Sequence, residues 1–272
     1  MSFPRPFEGI EIMLFPYKNY ETLAEPLTVY YPAGEVELAR WVLQTIEKAS
    51  ELLTQLLEQA KPTFKVMVVA PSDWHLAPHD EEEEISTFHP YWTDSTAPPS
   101  LVVPAEVDPI FGEVTQEKLA FMLYHELALA YLEADPRPWP DDAPLWSDEW
   151  QLKFAALWLS HRLDGQQGML NKDLREEYAE IFEPEADGKT PDTIRSFEWY
   201  EDTASEDYLG YQLLLEQFAS DLLERYPPEI LPRFLHAYRT ERKELLSDDV
   251  TAMLASVLGP AGAEWLEDLI YF

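Results

Sequence analysis

The sequence predicts an α+β protein, with a first half built on a small mixed sheet and a second half almost entirely helical. Three observations predict it. A long amphipathic helical period over residues 35–60 feeds directly into the β-branched run Phe64-Lys-Val-Met-Val-Val-Ala70, a helix and strand in succession as in a lobe built on a sheet. Four prolines between Pro136 and Pro144 then interrupt the chain, where no helix can continue. Beyond that interruption only helical periods follow.

Taken in order, the first 33 residues hold proline-interrupted apolar runs, Ile10-Glu-Ile-Met-Leu-Phe15 and Leu27-Thr-Val-Tyr-Tyr31, which suit edge strands. Leu38, Trp41, Val42, Ile46, Ala49, Leu53, Leu56, Leu57 and Ala60 share one helical face, and Pro62 ends the helix. Residues 64–70 read as a strand. Asp80 and the four glutamates after it mark a solvated loop, with a short edge strand expected over residues 85–90 and another strand over Leu101-Val-Val-Pro104. A helical period covers residues 117–132. Residues 1–134 thus form an α/β lobe and residues 135–272 a helical lobe, the two making one compact domain.

In the second lobe helices are expected over residues 147–163, 172–181, 207–226, 229–240, 248–258 and 263–270. Pro227-Pro228 separates two of them, Ser247 reads as an N-cap, and Gly259-Pro260 as a C-terminal stop.

With 272 residues, 46% of them hydrophobic, the chain can fill a substantial core. It has no cysteine, so disulfides, thiolate metal sites and cysteine nucleophiles are excluded, and any metal must sit on His, Asp or Glu. Against 19 basic residues stand 52 acidic ones, a formal charge of −33 that repels nucleic acid and anionic membranes. No stretch reaches the roughly 18 apolar residues of a membrane span, and the first residues carry no apolar leader segment. A cytoplasmic protein is the expectation.

One helix carries chemistry-bearing residues. Within Phe121-Met-Leu-Tyr-His-Glu-Leu-Ala-Leu-Ala-Tyr-Leu132 stands His125-Glu-Leu-Ala-Leu129. Two histidines four residues apart on a helix can bind one metal while the Glu after the first activates its water. Here the fourth-on residue is Leu129. Taken alone, a His-Glu pair on an apolar helix is most often a satisfied core histidine beside a surface-reaching glutamate.

The surroundings add a resemblance. After the proline-rich loop comes Pro144-Leu-Trp-Ser-Asp-Glu-Trp150, and later Tyr211-Gln-Leu-Leu-Leu-Glu-Gln-Phe-Ala-Ser-Asp-Leu-Leu-Glu-Arg-Tyr226. In that order, these segments resemble the gluzincin, or peptidase MA, family of zinc metallopeptidases, over about residues 27–259. The resemblance implies a zincin-like, thermolysin-type catalytic domain. It implies His125 as a zinc ligand, Glu126 as the general base, and a carboxylate on the following helix as a further ligand. Alignment on Trp146 selects Glu149 for that role, while the family's commoner spacing selects Asp148. Tyr211, with Tyr208 in reserve, matches the tyrosine that stabilises the oxyanion in active relatives. The edge strand that aligns peptides would fall at residues 85–90. Trp150 in place of the usual Gly implies a more crowded cleft floor.

Leu129 departs from the pattern at the second ligand position. Relatives use zinc; with His125 and one carboxylate left, little or no metal binding is expected here. His75, His79 and His89 fall in the loop region that faces the cleft in relatives, and His89 is the best placed substitute ligand. His161, twelve residues after Glu149 and about 18 Å along one helix, cannot share the site. Two readings follow from the resemblance. One is a pseudopeptidase whose acidic, aromatic-rich cleft binds a peptide or protein without cutting it. The other is an active zinc peptidase with a replacement ligand.

Overall fold

The structure, a computed structural model, describes residues 15–79, 87–177, 193–200, 203–241 and 243–272. Its five strands are β1 (Tyr20–Leu23), β2 (Val29–Pro32), β3 (Lys65–Val69), β4 (Tyr91–Thr93) and β5 (Ser100–Pro104), in the sheet order β1-β2-β3-β5-β4. The inner pairs β2–β3 and β3–β5 are parallel, while β1 and β4 run antiparallel at the two edges. The sheet is therefore small and mixed. Helix α1 (Val36–Leu57) makes the crossover from β2 to β3.

Alternation along β3 explains its unbroken apolar run. Val66 and Val68 face the main core with α1, whereas Met67 and Val69 face a second cluster with Tyr20, Trp74 and Val102. A strand covered on both faces has no reason to alternate apolar with polar residues. Helix α1 buries Ala39, Val42, Ile46, Ala49 and Leu53 against the sheet. Its last residue is Leu57, three short of the predicted limit, where the left-handed backbone of Glu58 (φ 51°) ends the helix.

Four sequence expectations are corrected or fall outside view. β1 was not anticipated, because Tyr-Glu-Thr-Leu is short and half polar; it exists by pairing with β2. The edge strand lies at Tyr91–Thr93 rather than at residues 85–90. Pro90 has no N–H to contribute to a ladder, so pairing with β5 begins at Tyr91. Residues 85 and 86, like residues 10–14 of the first predicted strand, lie outside the described residues. Ser247 is not an N-cap but the first residue of its helix, and its hydroxyl instead accepts from Trp146 Nε1 at 3.0 Å and Arg195 Nε at 3.2 Å.

The remaining helices are α2 (Gln116–Glu133), α3 (Leu145–Leu163), α4 (Lys172–Glu177), α5 (Ser205–Arg225), α6 (Ile230–Tyr238), α7 (Ser247–Leu258) and α8 (Gly262–Glu267). Thr115 caps α2 by accepting from Lys118 N at 3.3 Å. Helix α2 buries residues all round, including Leu123, Tyr124, Leu127, Ala128 and Tyr131, because α1, α3 and β4 pack against it from different sides. Helix α3 lies between α2 and α5. Its Trp150 is fully buried, with ring centroids 4.9 Å from Phe234, 5.9 Å from Phe154 and 6.2 Å from Phe218. One core runs from Leu27 to Phe272 and takes in residues on both sides of the proline-rich loop.

That loop is fastened from behind. The Arg239 guanidinium, 1% exposed, donates to Leu132 O at 2.8 Å and Arg137 O at 3.0 Å and lies 3.1 Å from the Trp139 ring centre. Arg137 is in turn paired with Asp135. Among the described residues no helix is long and apolar enough to cross a membrane.

Candidate functional site

His125 and Glu126 sit in the middle of α2, with Asp148 in the first turn of α3, Glu149 directly after it, and Tyr208 and Tyr211 in the first two turns of α5. Helix α3 packs against both α2 and α5, and α2 in turn packs against the edge strand β4. The link to the strand is direct. The backbone N–H of Trp92 in β4 donates to Glu126 Oε2 at 2.9 Å, and its indole N–H donates to Glu133 Oε2. Glu126 and Glu133 are seven residues apart, two helical turns, and so share one face of α2.

The electrostatics show which groups face one another. Burial raises the Glu126 carboxyl to about 8, opposed by the Trp92 N–H, reinforced by Glu149, opposed again by Lys153 and reinforced by Glu133. Burial holds the His125 imidazole well below its usual value, and the Lys153 charge lowers it further. His125 is a neutral imidazole near pH 7, and its Nδ1 lies out of solvent contact with no hydrogen-bond partner.

The two neighbouring carboxylates on α3 point to different surroundings. Asp148 accepts from Tyr238 Oη at 2.8 Å, and Tyr238 also shares a 2.8 Å hydrogen bond with Ser147 Oγ. Burial lifts Asp148 to about 6, with Tyr238 and Arg239 opposing and Glu149 adding to the rise. Glu149 is the carboxylate whose charge acts on Glu126, Tyr208 and Tyr211. Both tyrosines are raised above their usual range, by burial first and then by Glu149. Tyr211 is 2% exposed, its hydroxyl has no hydrogen-bond partner, and Phe197 stacks on its ring at 4.2 Å.

Leu129 stands one turn after His125, half-buried and packed against the main core. Leu129 offers no metal-binding atom. The position one turn from His125 is apolar, Glu126 is engaged by Trp92, and among the described residues no three His, Asp or Glu side chains are gathered to hold an ion.

Of the other candidate histidines, His79, His89 and His161 have partners close to them in the chain. His89 precedes β4 and bonds through Nδ1 to Thr87 Oγ1 at 3.0 Å; burial lowers its imidazole, while Thr87 and Asp108 act the other way. His75 is exposed in a short 3-10 turn, and His79 Nδ1 lies 2.7 Å from Ala77 O. His161 Nε2 lies 3.2 Å from Gly168 O.

Three participants escape a reading of the sequence: Trp92, Glu133 and Lys153. Glu133 and Lys153 each carry a faint signal, at i+7 from Glu126 and at i+4 from Glu149. Trp92 carries none, since nothing in the sequence says which helix the edge strand crosses.

No family model matches the chain, and no curated protein matches its sequence.

Proposed function

We propose that this chain is a gluzincin-like protein that has lost its metal chemistry and that it binds a peptide or protein segment where β4, α2 and α5 meet, without cutting it. The observation that carries the reading is the hydrogen bond from the Trp92 N–H to Glu126 Oε2 at 2.9 Å. A general base in a metallopeptidase must point at a metal-bound water. Here the carboxylate at that position serves instead as an acceptor tying the edge strand to the motif helix.

Other features support the same reading. Leu129 occupies the position of the second imidazole, so a metal would keep His125 and Glu149 alone, fewer than the three protein ligands usual for catalytic zinc. The antiparallel edge strand beside the motif helix, and a carboxylate on the next helix acting on Glu126, agree with the resemblance of the sequence to gluzincins. Binding without turnover asks only for a recognising surface, and the aromatic and acidic groups around Tyr208 and Glu149 supply one.

The test has two arms. Protein purified without chelator is analysed for zinc, and then assayed against a mixed peptide substrate. The expected result is far less than one zinc per chain and no hydrolysis above background. One equivalent of zinc, with turnover abolished by Glu126→Gln, would overturn the proposal.

A further inference from the structure

The junction of α2, α3 and α5 leaves polar atoms unanswered. His125 Nδ1 on α2 and Tyr211 Oη on α5 are buried without a hydrogen-bond partner, while Gln212, next to Tyr211, hydrogen-bonds Tyr208. A buried polar atom without a partner is costly, and the Tyr211 hydroxyl calls for a physical cause. A group arriving from outside would supply it.

The charge at this place decides what kind of group. Glu149 and Glu133 both act on Glu126, with Lys153 the opposing charge. Glu149 and Asp148 both act on the Tyr211 phenol, which places its unpartnered hydroxyl in a negative field. An anionic ligand would add a like charge to carboxylates already crowded together, whereas a cation relieves them.

Aromatic rings stand beside both tyrosines. Phe197 stacks on Tyr211 at 4.2 Å, and Trp199, 54% exposed, meets Tyr208 edge-on at 4.8 Å. Tyr200 beside it is 58% exposed. Such rings favour the apolar stem and the charged head of a long basic side chain. The formal charge of −33 would also speed the approach of a basic partner.

From these observations, and resting on the peptide-binding reading above, we infer that the bound segment carries a lysine or arginine. Its charged head docks against Glu149 and the Tyr211 hydroxyl, and its stem crosses Tyr208 and Trp199. This names the chemistry of the partner: a basic peptide or a basic surface segment of a protein.

Fluorescence anisotropy at physiological salt tests it, with three labelled peptides of equal length whose spaced charged positions are Lys/Arg, Gln or Glu. The basic peptide should bind at least about tenfold more tightly than the Gln version, with the Glu version weakest. Glu149→Gln should weaken the basic peptide by roughly tenfold or more, and Tyr211→Phe by a smaller factor. Glu267→Gln, which removes one exposed carboxylate on α8, should change it by less than about twofold. If Glu149→Gln does not fold, as judged by its melting curve, Tyr211→Phe against Glu267→Gln carries the comparison. Equal losses in the site and α8 variants would mean diffuse attraction and overturn the inference. Equal binding of the basic and Gln peptides would overturn it while leaving the peptide-binding reading intact. Failure of all three peptides to bind would overturn both.

Discussion

The backbone N–H of Trp92 lies 2.9 Å from Glu126 Oε2, so an edge-strand amide is satisfied by a carboxylate from the middle of a helix. An unpaired amide at a sheet edge is costly when buried, and a glutamate deprived of water is costly when charged. Each offsets part of the other's cost, and the contact fixes β4 against α2.

The first prediction concerns pH. The folded state holds the Glu126 proton up to about 8, against an ordinary value of 4.5, so it binds a proton that the unfolded chain lacks throughout that window. Stability therefore falls as pH rises between those limits, by up to about 1.4 kcal/mol per pH unit. Asp148 contributes in the same direction only up to about 6, and His125, whose imidazole is lowered, contributes oppositely only below 6.5. Denaturant melts between pH 6.5 and 8 should show wild type losing stability and Glu126→Gln staying flat across the same range. Parallel curves would show that Glu126 is ordinarily ionised.

The second concerns Leu129. Leu129→His exchanges a half-buried apolar side chain for a polar one, at a cost of about 1–3 kcal/mol without metal. It also places an imidazole one turn from His125 on the same face of α2. Thermal melts should show the variant below wild type without zinc, and raised by zinc in the variant alone, because a ligand that binds only the folded state stabilises it. An equal zinc response in both proteins would sink the idea.

The third concerns Trp150. It is fully buried among Phe154, Phe218 and Phe234, and its indole N–H has no partner. Trp150→Ala should cost about 3–5 kcal/mol through the cavity it leaves. Trp150→Phe keeps most of the ring packing and loses no hydrogen bond, and should cost roughly 1–2 kcal/mol. Urea unfolding midpoints of the two variants measure the difference.

The fourth concerns Arg239. Replacing it with Met keeps an apolar stem but removes the donors to Leu132 O and Arg137 O and the cation over Trp139. Arg239→Met should destabilise by about 2–4 kcal/mol, since charge-assisted bonds to buried carbonyls are lost. It should also speed proteolysis within the proline-rich loop. Unchanged cleavage there would show that other contacts hold the loop.

The long elements were legible in the sequence because their burial is written as a period. Helix α1 shows one apolar face, β3 an unbroken β-branched run, and the prolines between Pro136 and Pro144 a stop. The short edge strands were not, because three or four residues carry too little pattern: β1 is defined by its partner, and β4 begins only where Pro90 allows pairing. Likewise the His125-Glu126 pair, and the apolar Leu129 one turn on, were visible in the sequence. Sequence could not say that Glu126 accepts from Trp92, that Asp148 turns to Tyr238 while Glu149 acts on Glu126, or that Lys153 stands among them. Local periodicity fixes which face of a helix is apolar. What each polar side chain meets depends on neighbours far away in the chain, and the packing of α2, α3, α5 and β4 decides it.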